Sequence, residues 1–328
     1  GAGRPGRSTG MNARFYSETV PDTHAMTTFE GLSCSAAAAV DEPLPGTATR
    51  VGAWLCVEQP GAWGRDVIGD EVLGPEITPA LAARTSAAHV RPTLIRRPGR
   101  NEFNGVRTVL LASSHLGSSW CERLEITDLK QLLDLDLHLL NGPPPGLGAR
   151  VDDQVILVCA HGKRDQCCAL LGRPIAADLA TVYPGRVWEC SHTGGHRFAP
   201  AMVLLPSGLT YGRVDTESAT AAVESARRGE LALPGFRGRS GHEPIEQVAE
   251  IAVREQVPAA LDDLTVALEN TYTTTDPTIA GAALVTHRDG RRWRVTVHTV
   301  AHAPRQASCG AAPKPVTALV ADRVEPLA

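Results

Sequence analysis

Two short stretches of this 328-residue chain concentrate the side chains that bind soft metals. The first reads Cys159-Ala160-His161-Gly162-Lys163-Arg164-Asp165-Gln166-Cys167-Cys168, the second Cys190-Ser191-His192-Thr193-Gly194-Gly195-His196. Thiolate and imidazole together suit Zn²⁺ or the iron of an iron–sulfur cluster. A set of four such ligands builds either one zinc site or one [2Fe–2S] cluster. Structural zinc sites favour short Cys-x-x-Cys chelates. Here seven or eight residues separate Cys159 from Cys167 or Cys168, a loop long enough to wrap a two-iron object. Three residues separate His192 from His196, two of them glycines, whose freedom at positive φ lets both imidazoles turn to one side.

The surrounding sequence shows how two loops so far apart come to face one site. Residues 154–159, QVILVC, read as a short buried strand, residues 168–180 as a helix and residues 186–190 as a second strand. Each metal-binding loop thus follows the C-terminal end of a strand, the edge at which ligands gather in open α/β sheets. AMVLLP and LTYGRV pair across Ser207-Gly208, and TESATAAVESARRGEL closes the unit as a helix. The order β-α-β-loop-β-β-α is that of a thioredoxin-like domain, a fold that hosts many functions. Pro200, just before the first hairpin strand, is expected in cis.

An earlier segment repeats this order faintly. GAWLCVEQP is a strand, ITPALAARTSA a helix and RPTLIRRP a strand; RTVLLASS and CERLEI pair across HLGSSW, and DLKQLLDLDLHLL is a closing helix. Where the later unit has its cysteine-rich loop, this one has residues 58–66, without soft ligands. The fold class is therefore α/β: two tandem thioredoxin-like units plus a small α+β C-terminal segment. Residues 1–30 form a flexible leader and residues 31–147 the degenerate unit, which ends in a stiff Pro/Gly linker at 141–146. Residues 150–236 form the cluster-binding unit, closed by Pro234-Gly235. Residues 237–328 hold a helix over about 243–269 and a hairpin, AALVTHR and RRWRVTVHTV, across Asp289-Gly290.

The net charge of −4 gives no basic surplus for nucleic acid, and no apolar run reaches the ~20 residues of a membrane span. No apolar signal segment stands near the start, so a cytoplasmic location is expected. There the eight cysteines stay reduced, and clustered ones are ligands or redox groups rather than disulfides.

CAHGKRDQCC, followed by a helix and then WECSHTGGHRFAP, resembles the sucrase/ferredoxin-like family, the thioredoxin-like ferredoxins. Its motifs have the shapes C-x-H-G-x-R-D-x-x-C and H-x-G-G-H, and the resemblance spans about residues 50–235; SCGAAPKP around Cys309 is similar to the family's C-terminal region. The resemblance implies a [2Fe–2S] cluster with Cys159 and Cys168 on the inner iron and His192 and His196 on the outer one. It places Cys168, rather than its neighbour Cys167, in the ligand position. The expected function is proton-coupled one-electron transfer, with a flavoprotein reductase as donor, an acceptor that no pattern identifies, and neither nucleic acid nor membrane as partner. Sugar hydrolysis is not expected, because no pair of carboxylates can be placed across a sugar ring, and Asp165 is a lone carboxylate without a partner.

The remaining candidates have plainer roles. His161 reads as a hydrogen-bonding loop residue, Cys34, Cys56, Cys121 and Cys190 as small buried apolar residues, and Cys309 as structural or incidental. Lys163, Arg164 and Asp165 either form a solvated loop or tune the cluster; His287, His298 and His302 lie on a sheet surface. Two other functions fit the same ligands: a zinc-binding structural or interaction module, and a thiol–disulfide oxidoreductase. The vicinal pair Cys167-Cys168 matches the second poorly, since such enzymes carry Cys-x-x-Cys at a helix start.

Overall fold

The computed structural model describes residues 29–328, so nearly all of the expected leader lies outside the described residues. The chain begins with α1 (Cys34–Ala39), then β1 (Ala53–Glu58), α2 (Ile77–Ala87), β2 (Val90–Arg96), β3 (Arg107–Ser113) and β4 (Trp120–Ile126). After a two-residue strand β5 (Ala149–Arg150) come β6 (Val155–Cys159), α3 (Gln166–Val182), β7 (Val187–Cys190), β8 (Met202–Leu205), β9 (Leu209–Tyr211), α4 (Thr216–Arg227) and β10 (Phe236–Arg239). The ten strands form one mixed sheet in the order β10-β9-β8-β6-β7-β2-β1-β3-β4-β5.

The two halves of that sheet share one connectivity. β1 runs parallel to β2 and antiparallel to β3, which pairs antiparallel with β4. In the same way β6 runs parallel to β7 and antiparallel to β8, which pairs with β9. The halves meet where β2 and β7 run antiparallel, with Ile95 opposite Cys190 and Arg96 opposite Glu189. Arg96 Nε and Glu189 Oε2 close this seam at 2.7 Å. The loops after β6 and β7 therefore leave from the middle of the sheet, where neighbouring strands on both sides fix their origins.

Helix α3 positions the first of those loops. Asp165 caps it, accepting from the Cys167 N–H at 2.9 Å. Cys168, Gly172, Ile175, Ala176 and Leu179 recur at three- and four-residue steps and form its buried face. A Cβ at Gly172 would run into the Cys159 carbonyl, so glycine is what lets the helix lie so close to β6.

Four expectations change. The segment read as a closing helix is two 3₁₀ turns, Leu129–Asp134 and Leu137–Asn141, with Leu135 extended between them. In an unbroken α-helix Leu132 and Leu137 would point about 140° apart. The break, with Asp128 and Asp136 each capping a turn, sends both into the same core as Leu140. The Pro/Gly run is not a free linker: the N–H groups of Gly146, Leu147 and Gly148 donate to the Glu122 carboxylate at 2.8, 2.9 and 3.1 Å, leading the chain into β5. The helix expected over 243–269 is α5 (Pro244–Arg254); Pro258 follows it, and the alternating LTVAL forms β11 (Leu264–Leu268). The hairpin across Asp289-Gly290 does form, from β12 (Ile279–His287) and β13 (Arg292–Arg305), but inside a larger antiparallel sheet, β11-β12-β13-β14, whose last strand is β14 (Lys314–Leu327). Val248, Ala249, Ala252 and Val253 of α5 pack on this sheet against Val285, Trp293 and Val295. The Ala199–Pro200 bond is cis. No helix among the described residues is long and apolar enough to cross a membrane.

Candidate metal centres

Cys159 ends β6 and Cys168 lies on the first turn of α3, both 1% exposed. Their sulfurs and a ring nitrogen of His192 all lie within 4.8 Å of one another. His196 stands just outside that tight group, its ring centroid 4.9 Å from that of His192. Gly194 and Gly195, at φ of +96° and +70°, make the turn between the two histidines. A Cβ on the first would strike Thr49 and one on the second Phe198 and Arg237, so both conformation and space demand glycine here. The Nδ1 atoms of both imidazoles are buried without a hydrogen-bond partner. An unpartnered buried polar atom costs roughly 1–3 kcal/mol, so two of them side by side near two sulfurs suit metal ligation. This donor set fits a metal ion or a two-iron cluster.

The electrostatics point the same way. The hydrogen bond from Cys168 holds the Cys159 thiol well below its ordinary range against the effect of burial, and His192 adds to this. Cys168 is pushed up, chiefly by its bond to Cys159 and then by burial. Arg237 is fully buried, yet among the described residues it has no carboxylate partner. It donates to Thr47 Oγ1 at 2.9 Å, to the Thr47 carbonyl, and to the Gly194 carbonyl at 3.2 Å. Burial and the nearby Arg197 and Arg213 push its pKa down, while Cys159 and Cys168 pull it up. Arg91 reaches the His192 carbonyl at 2.7 Å; burial pushes its pKa down, and Cys190 and Cys159 oppose that. Two guanidiniums therefore stand beside a pair of sulfurs that carry negative charge when they bind metal.

His161 is a positioning residue. Its Nε2 pairs with the Gly64 carbonyl at 2.9 Å, and its Nδ1 accepts from the His192 N–H at 3.2 Å. Trp63 meets its ring edge-on. Cys56, Cys121 and Cys190 are buried in one apolar cluster and, among the described residues, belong to no metal-capable group.

Cys167 turns the other way. Consecutive residues on a helix point about 100° apart, and here Cys168 joins Cys159 and His192 while Cys167 does not. Cys167 instead joins Cys34, Cys309 and Asp165 in a second compact group. Its sulfur lies 3.2 Å from that of Cys309 and 3.7 Å from that of Cys34, and the last two are 3.4 Å apart. Cys34 is buried, as expected, and with Cys309 and Asp165 it also belongs to this compact group. The three cysteines are 133 residues or more apart in the chain, so no local spacing could have announced the group.

A mixed sheet that presents two Cys/His loops from adjacent parallel strands makes this an α/β protein with Cys/His groups that could hold a metal ion. Residues 44–238 match the family described as Sucrase/ferredoxin-like, and the chain belongs to that family. Over 99 residues it is 26% identical to the "Altered inheritance of mitochondria protein 32" of Meyerozyma guilliermondii, a match covering 27% of this chain and 35% of that protein. The chain thus spans about a third of that relative's length. No solved structure gives a significant match.

Proposed function

We propose that Cys159, Cys168, His192 and His196 hold a [2Fe–2S] cluster and that the protein is a one-electron carrier. The observation that carries this is the convergence of two buried sulfurs and two unpartnered imidazole nitrogens beside a buried arginine that has no carboxylate partner among the described residues. When bound, such a cluster supplies one-electron transfer, and its histidine ligands raise the potential from roughly −400 mV toward the range of about −150 to +300 mV.

The chain's own residues divide the work. Cys159 and Cys168, at the sheet, form the inner pair. His192 and His196, partly exposed on the outer loop, form the pair nearest a partner. Arg237 and Arg91 favour the more negative, reduced state. An imidazole that ligates through one ring nitrogen keeps an N–H on the other, and that N–H would be less acidic when a bound cluster is reduced. Between its oxidised and reduced pKa values the potential falls by about 59 mV per pH unit for one proton per electron. Burial and the neighbouring His192 push the His196 pKa down, and Asp165 Oδ2, 3.8 Å from its Nε2, opposes this.

The electron donor is a flavoprotein reductase. A cavity of about 260 Å³ beside His192, lined by Arg65, Arg91, Arg164 and one carboxylate, Asp66, suits an acidic patch on such a partner. Each half-sheet is read as a thioredoxin-like unit, supported by the shared strand order, and the site of action as the cytoplasm. Redox titration at several pH values tests the proposal, on the wild type and on His192→Cys and His196→Cys. A potential that slopes with pH in the wild type, and slopes less in the variants, is expected. A flat profile up to strongly alkaline pH, or a slope that survives in both variants, overturns the assignment of these protons.

A further inference from the structure

We propose that Cys34, Cys167, Cys309 and Asp165 form a second metal site, a mononuclear zinc centre separate from the cluster pocket. Its geometry suits one ion. With Zn–S bonds of about 2.3 Å at tetrahedral angles, the sulfurs around zinc lie about 3.8 Å apart. The three sulfurs here lie 3.2, 3.4 and 3.7 Å apart, so bringing in the ion asks for an outward movement of a fraction of an ångström. A polynuclear cluster, which spreads its cysteines over several irons, needs wider spacing. Asp165 Oδ2, 3.5 Å from the Cys34 sulfur, supplies the fourth ligand.

The surroundings are built for anionic ligands. The Asp165 side chain is fully buried, and among the described residues its one ionic partner is His196, at 3.8 Å. No lysine or arginine neutralises it. The backbone N–H groups of Cys167 and Cys309 each donate to its carboxylate at 2.9 Å, fixing its orientation. The Cys34 N–H points at the Cys309 sulfur, 3.4 Å away, and Ser35 Oγ donates to the Cys167 sulfur at 3.3 Å. Hydrogen bonds of this kind steady metal ligands and disperse their charge. Three thiols converge rather than two, together with a carboxylate, which a disulfide does not need and a divalent cation does.

The ligands come from α1, the start of α3 and the loop between β13 and β14. The ion therefore staples the N-terminal helix and the C-terminal sheet over the first turn of the helix that carries Cys168. Metal held between segments so distant contributes directly to folding.

Zinc and iron per chain, measured on the wild-type chain and four variants, test this apart from the cluster assignment. The wild type from zinc- and iron-replete cells should carry about one zinc. Cys34→Ser and Cys309→Ser should lose the zinc and keep the iron and visible spectrum, Cys167→Ser likewise, while Cys168→Ser should lose the iron and keep the zinc. Should the variants fold poorly, Co²⁺ added to zinc-depleted wild type should give the intense absorption of a tetrahedral thiolate site at one equivalent. Wild type without zinc and without that cobalt spectrum overturns the proposal. So does zinc that leaves with Cys168 but not with Cys34, which would place it in the cluster pocket, or an intact mass showing a Cys167–Cys309 disulfide. A failure of the cluster assignment alone would show instead as iron-free protein whose zinc still follows Cys34.

Discussion

If Cys159, Cys168, His192 and His196 hold the proposed cluster, removing the buried charge of Arg237 should lower the cluster's reduction potential. The guanidinium donates to the Gly194 carbonyl, and Gly194 stands two residues from both His192 and His196. Two residues of chain span at most about 7 Å, which places the charge on the order of 8 Å from the imidazole end of the site. At an effective dielectric of about 20, one unit charge at that distance stabilises an added electron by roughly 2 kcal/mol. On the one-electron scale this is about 90 mV. Arg237→Gln removes the charge, so its potential should fall by up to that amount. Arg237→Lys keeps the charge and should restore most of it, which separates electrostatics from the loss of packing on Phe198. Redox titration followed by visible absorption at fixed pH reads both variants. A potential that stays put or rises in Arg237→Gln would show that the site does not feel this charge, and the role of the unpaired arginine would fall with it.

Cys168→Ser should abolish normal cluster assembly while Cys167→Ser leaves a near-native visible spectrum; the reverse would move the ligand by one position. Gly172→Ala gains roughly 1 kcal/mol of helix propensity but drives a methyl group into the Cys159 carbonyl, so a net loss of about 1–3 kcal/mol is expected in denaturant unfolding, with a poorer yield of cluster. A stabilised variant would contradict the packing described. Glu250 joins Arg239, Arg254 and His242 in a buried network at 3.1, 3.0 and 3.3 Å. Glu250→Gln leaves two buried guanidiniums short of a counter-charge and should cost about 3–5 kcal/mol, read as a shift in urea midpoint. Burial would raise the Glu250 pKa, but Arg239, His242 and Arg254 overcome this and hold it well below the usual carboxylate range. Its folded value lies below its unfolded one, so the stability it contributes is present above the ordinary carboxylate pKa of about 4.3 and is lost only as pH falls toward the depressed folded value. Unfolding curves between neutral and strongly acid pH check the sign.

The elements around the cluster pocket were legible because local patterns specify them. QVILVC is apolar at every buried position, Asp165 caps a helix whose small and apolar residues recur at helical steps, and Ser207-Gly208 and Asp289-Gly290 are turn pairs. The 129–141 segment misled because its leucines satisfy a helical pattern loosely, and only the tertiary core decides that Leu132 and Leu137 must share a side. The single ten-stranded sheet was hidden because the seam between Ile95 and Cys190 is a pairing across 95 residues, which no period within either unit encodes. The Cys34–Cys167–Cys309 group was hidden for the same reason. Arg237 escaped notice because an arginine in an Arg/Gly-rich strand reads as surface until burial is known.

The most direct test of the cluster assignment is the iron and acid-labile sulfide content of protein purified without oxygen, together with its colour. Cys159, Cys168, His192 and His196 acting as ligands predict a coloured protein with about two irons and two sulfides per chain, beyond any zinc that follows Cys34. A colourless protein from iron-replete cells, free of sulfide and with zinc bound through Cys159 and Cys168, would contradict it.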